Sequence, residues 1–129
     1  MTYLEELFFR FAPYFGETFV SSYGVILFPV KVKYFRKAYS TWGNYNGFKR
    51  EIQISPTLKE FPNALEGVLL HEMVHAFLHA KYNSDKPSGH GHEFEGIQWN
   101  LNVKHFGQGD AHKIHFKNML AVISKDYKF

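Results

Sequence analysis

Apolar residues Leu4, Leu7, Phe8, Phe11 and Phe15 recur at spacings of three and four, the repeat of one helix face. They predict a helix over residues 4–19, broken or bent at Pro13, where the ring removes an N–H from the ladder. The pattern then shortens. Residues 25–28, 30–35, 38–42 and 48–54 are short runs rich in β-branched and aromatic side chains, punctuated by Pro29 and by the glycine–asparagine cluster 43–47. These runs predict a small antiparallel sheet with a hairpin turn at Gly43 to Gly47. Ser55-Pro56-Thr57 closes the last strand, and the helical repeat returns over residues 63–82. There Leu65, Val68, Leu69, Val74, Phe77 and Leu78 fall largely on one side of the wheel. Residues 83–89 have the composition of a loop, and a second helix follows over 92–101. The tail predicts a third helix over 110–125, capped by Asp110, with Phe116, Met119, Leu120 and Ile123 on one face. Strands precede the longer helices rather than alternating with them, which argues an α+β domain.

Composition narrows the chemistry. The 129 residues suit a single domain, 1–129, with no repeat, low-complexity tract or linker to divide it. At 45% hydrophobic and 19% aromatic the chain can bury a core and lies on the folded side of the disorder boundary. It has no cysteine, so a disulfide framework, a zinc ribbon and a thiol nucleophile are all excluded. Any metal site must be built from His, Asp and Glu. The first ten residues lack a basic region followed by a long apolar run, and the apolar stretch around residues 24–30 is far too short to span a bilayer. The expectation is an intracellular, cytoplasmic protein (nucleoid or nuclear if DNA-associated), neither secreted nor in a membrane. A net charge of +3 permits an acidic partner without requiring one.

The chemistry concentrates in His71-Glu72-Met73-Val74-His75, inside the long predicted helix. Residues i and i+4 lie one turn apart on one face, so both imidazoles can converge on one ion. Glu72 lies about 100° round the helix from His71, displaced from the ligand face but placed to act as a base on water at the metal. The apolar flanks Val68-Leu69-Leu70 and Ala76-Phe77-Leu78 mark a buried helix rather than a polar surface one. A third ligand must come from outside the helix. His79 is one turn beyond His75, but at 1.5 Å per residue it stands about 12 Å from His71, beyond the reach of a shared ion; it reads as a surface or helix-terminal residue. The local chemistry of Gly89-His90-Gly91-His92-Glu93-Phe94-Glu95 favours His90, flanked by two flexible glycines, and leaves His92, Glu93 and Glu95 as competitors.

The run His71-Glu72-Met73-Val74-His75-Ala76-Phe77, followed by Gly89-His90-Gly91 and Phe94, resembles the SprT-like family of zinc metalloproteases, which includes the Spartan-type proteases that degrade proteins crosslinked to DNA. Arg36-Lys37-Ala38-Tyr39 and Glu51-Ile52-Gln53-Ile54-Ser55-Pro56 are more loosely similar to the strands before that family's active-site helix. The resemblance implies a zincin-like fold, Zn2+ held by His71, His75 and His90, and Glu72 as the general base of peptide hydrolysis. It implies a protein or peptide substrate. The cysteine-bearing zinc ribbon or DNA-binding extension of many members has no counterpart here. His92, Tyr82 and Tyr39 are candidates for the donor to the developing oxyanion, and strand 51–54 is a candidate edge for an extended substrate.

Two further readings stand beside this one. Lys31, Lys33, Arg36, Lys37, Lys49 and Arg50 interleave with Tyr34, Phe35, Tyr39, Trp42, Tyr45 and Phe48, a mixture able to meet the phosphates and bases of single-stranded or damaged DNA. The same alternation also describes the two faces of a half-buried sheet. The other reading is a non-catalytic, zinc-stabilised module that binds protein or DNA. Glu72 argues against it, because a purely structural site has no use for a base.

Overall fold

Thr2 opens helix α1 (Tyr3–Phe11) with a capping box: its hydroxyl accepts from the Glu5 N–H, and the Glu5 carboxylate accepts from the Thr2 N–H. Leu4, Leu7, Phe8 and Phe11 are buried, the face the repeat predicts. The helix stops earlier than residue 19. At Pro13 it tightens into a 3-10 turn, Ala12–Phe15, which ends at Gly16 with φ 65°. Phe19 still reaches the core, from a bend beyond the helix. The computed structural model describes residues 1–37, 41–84, 90–111 and 113, and all that follows concerns these.

The sheet has three strands, β1 (Lys31–Tyr34), β2 (Gly43–Asn46) and β3 (Glu51–Ile54), in the order β1-β3-β2. It is mixed rather than antiparallel. β2 and β3 form an antiparallel hairpin with Tyr45 opposite Ile52, whereas β1 runs parallel to β3 with Val32 opposite Ile52. The chain from β1 passes across to the far edge before the hairpin returns it to the middle, which fixes the parallel pairing. β3 is therefore central, and the edges are β1 and β2, not residues 51–54.

The expected turn is displaced for a physical reason. Gly43 does not turn the chain; it lets β2 approach the central helix, since a Cβ there would stand 2.6 Å from Val68 Cγ1. The turn lies instead at residues 47–50, where Arg50 takes φ 50° and its N–H reaches the Gly47 carbonyl. Residues 25–28 form no strand either. A single bridge, Val20 to Ile26, closes a small loop in which the Ser21 hydroxyl accepts from the Val25 N–H. The predicted strand at 38–42 lies mostly outside the described residues.

Helix α2 (Pro62–Tyr82) begins with proline at its first turn and ends at Asn83, which adopts the left-handed conformation with φ 48°. Its burial is not confined to one side. Residues 67–74 are buried without interruption, because the sheet, α1 and the following helix pack around it. Helix α3 (His92–Phe106) runs five residues past the predicted end and stops at Gly107, φ 78°, a left-handed cap. Ile52, Ile54, Leu65, Leu69, Leu70 and Met73 belong to the one core that joins sheet and helices. The predicted helix 110–125 falls almost wholly outside the described residues.

Candidate metal centre

The i, i+4 spacing places the His71 and His75 rings 5.3 Å apart between centroids. His90, two residues before α3, brings its ring to 4.8 Å from His71 and 5.1 Å from His75. One ring nitrogen from each lies within 4.8 Å of the other two. His75 Nε2 and His90 Nε2 are 3.2 Å apart. Two imidazoles bound tetrahedrally to one ion at about 2.0–2.1 Å hold their nitrogens roughly 3.3 Å apart, so the His75–His90 pair already has that spacing, and three imidazoles are a donor set that zinc accepts. Phe94 packs on all three rings, at 4.9, 4.4 and 4.7 Å between centroids. Burial, aided by His90, holds His75 down at about 4, so its ring is neutral and keeps a lone pair at physiological pH.

Glu72 is 2% exposed, and burial pushes its carboxyl up to about 8. Its Oε2 is buried without a hydrogen-bond partner. An orphaned carboxylate oxygen costs free energy unless a cation or polar ligand completes it, which is a second mark of a site made to be filled. That oxygen lies beneath the start of β2, where a Cβ on Gly43 would come within 3.3 Å of it.

Among the described residues, none of the competitors for third ligand joins the three converging nitrogens. His79 is buried, not at the surface: its Nδ1 is 2.6 Å from the Tyr45 hydroxyl and its ring meets Phe28 edge-on. His92 is exposed. The Glu93 carboxylate accepts from Lys81 Nζ and from the Tyr82 hydroxyl, joining the end of α2 to the start of α3 and framing the segment that carries His90. Tyr82 is thus engaged away from the cluster, and Tyr39 lies outside the described residues. Glu95 lines a cavity of about 310 Å³ beside the histidines, together with His71, His90, Phe94, Gln98 and Trp99. Gly91 has an ordinary φ of −76°, so at least that glycine is not required by the backbone.

Sequence reasoning overlooked two polar residues. Gln98 and Asn102 are buried on α3, and Gln98 Oε1 stands 3.1 Å from His71 Nδ1. The available signal was two amides one turn apart on the face that carries Phe94 and Leu101.

Two imidazoles on a buried helix converging with a third from just before α3, beside a mixed sheet, place the chain in the zincin-like class of α+β folds. The metallopeptidase zymogen abylysin of Pyrococcus abyssi has a similar backbone, with a TM-score of 0.64 over 96% of this chain and 98% of that one, at 18% identity. The SprT-like family model matches residues 5–115, and the chain belongs to that family. No curated protein matches it.

Proposed function

We propose that this chain is a zinc-dependent metalloendopeptidase with His71, His75 and His90 as ligands and Glu72 as general base. The observation that carries the reading is the convergence of three imidazole donors within 4.8 Å, two of them on the helix that also buries the unpartnered Oε2 of Glu72. Zinc bound there would supply Lewis acidity, polarising a peptide carbonyl and making a water's proton easier to remove. Glu72 takes that proton at its carboxylate and returns it to the departing amine, and burial raises its proton affinity towards the range a base needs near neutral pH. β2 presents the sheet edge closest to Glu72, so an extended substrate pairing with β2 lies across the carboxylate. Backbone pairing tolerates many sequences, which favours broad specificity.

Glu72→Gln keeps the shape of the side chain and removes the base. Its peptide hydrolysis should fall about a hundredfold to ten-thousandfold while bound zinc and Tm stay near the parent values. A variant as active as the parent would reject Glu72 as base. A parent that binds zinc yet cleaves nothing would favour the non-catalytic module.

A second reading adds DNA-associated proteins as substrates. It is favoured by Phe48, 86% exposed at the β2–β3 turn beside Lys49. Other members of the basic–aromatic set are engaged: Trp42 and Tyr45 face the interior, Lys33 pairs with Glu51, and Arg50 stacks on Phe28. On this reading single-stranded DNA binds at low salt, and the affinity falls on a log–log plot by about 0.7 per phosphate neutralised. Binding absent at low salt, with cleavage indifferent to DNA, removes it.

A further inference from the structure

A chain of buried amides leads away from the histidine cluster. His71 Nδ1 is 3.1 Å from Gln98 Oε1, Gln98 Nε2 donates to Asn102 Oδ1 at 3.2 Å, and Asn102 Nδ2 donates to the Gly109 carbonyl at 2.8 Å. Gln98 is 4% exposed and Asn102 fully buried. Two amides in an apolar helix face are costly to desolvate, and Leu or Met would fill the same volume without that cost.

The polarity of the chain is determined from its far end. A backbone carbonyl can only accept, so Asn102 must turn its NH2 to Gly109 and its oxygen to Gln98. Gln98 must then donate to Asn102, which turns its own oxygen to His71. An oxygen facing Nδ1 requires a proton there. That leaves Nε2 as the lone-pair nitrogen of His71.

We propose that Gln98 and Asn102 are positioning residues, a directional relay that transmits the polarity of the Gly109 carbonyl to His71 and fixes its Nδ1–H tautomer, with Nε2 presented for metal. Gln98 acts on a ligand directly, and Asn102 acts on it only through Gln98. Gly109 is held in place by Trp99, whose indole a Cβ at 109 would overlap, so the turn after α3 anchors the relay. The inference rests on His71 being a metal ligand.

The test reads the tautomer itself. In 15N-labelled, metal-free parent protein, long-range proton–nitrogen spectra should show His71 protonated at Nδ1 and bare at Nε2. Gln98→Met and Asn102→Leu should each populate the Nε2–H form and lower zinc affinity, measured by chelator competition, about 10–100-fold. Asn102→Asp still offers Gln98 an acceptor. It should therefore keep the parent tautomer and an affinity close to the parent's, although a buried carboxyl facing Gly109 costs more stability than leucine. Tautomer and affinity thus track the acceptor and not the melting temperature.

A parent with His71 in the Nε2–H form overturns the relay, as does Asn102→Leu with parental tautomer and affinity, or Asn102→Asp behaving like Asn102→Leu. The parent spectrum and Gln98→Met decide the matter should Asn102→Leu fail to fold. A parent that binds no zinc while His71 stays Nδ1–H overturns the metal reading and supports the relay.

Discussion

Gly43 and Val68 illustrate how tightly Glu72 is held. A methyl at 43 would press on Val68 Cγ1 at 2.6 Å and on Glu72 Cγ at 3.3 Å, with backbone on one side and a packed helix on the other. Gly43→Ala should cost about 1–3 kcal/mol, typical of overpacking, and should lower turnover by displacing the carboxylate. Val68→Ala in that background should recover part of both losses; a strictly additive double variant in urea melts and hydrolysis assays would show that the two positions do not touch. A second residue-scale prediction concerns alkali. Burial pushes the Tyr45 phenol up to about 12 from its ordinary 10.0, against an opposing pull from Arg50. The folded chain therefore holds this proton more tightly than the unfolded one. The stability so gained is fully present below pH 10 and is lost as pH rises towards 12. The fall in urea midpoint across that window should be shallower for Tyr45→Phe than for the parent. At this scale the sequence displayed the histidine pair through its spacing, because one helical turn is a local property. It hid Gln98, His79 and Gly43, whose roles depend on partners 27, 34 and 25 or more positions away.

Elements set the place of His90, the proposed third ligand. His90 lies in a connection whose two ends are tied by Glu93 to Lys81 and Tyr82, from the first turn of α3 to the last turn of α2. The clasp is exposed and therefore screened by salt. Glu93→Gln should speed zinc release at low ionic strength more than at high, read by stopped-flow transfer to a chelator. Equal release rates for variant and parent at every salt concentration would make the clasp irrelevant to the site. Helices were legible as elements, since α2 was placed to within a residue by its periodicity and Pro62 and Asn83 cap it. The sheet was less so. Strand pairing is decided by non-local contacts, and a glycine needed for close approach to a helix reads, in isolation, like a glycine needed for a turn.

Across the whole molecule, α2 stands at the centre and carries His71, Glu72 and His75 together, so the proposed site and the core share one support. Zinc that binds the folded chain alone should stabilise it by about 2.7 kcal/mol at a free concentration one hundred times Kd. Chelation should lower Tm accordingly, and should leave the Tm of His90→Ala unchanged. His92→Ala should behave as the parent does. A chelator-sensitive Tm in His90→Ala would point to Glu95 as the third ligand.

The chain has two tryptophans, and the fold gives them opposite surroundings. Trp42 is 1% exposed next to Gly43, whereas Trp99 is 56% exposed on the cavity wall beside the histidines. Their emission should separate into a blue component deaf to iodide and a red component that iodide quenches. With Trp42 replaced by Phe, the remaining indole becomes a lamp at the mouth of the site: a peptide settling into the cavity would shield it, and its brightness would count occupied molecules before any bond is cut.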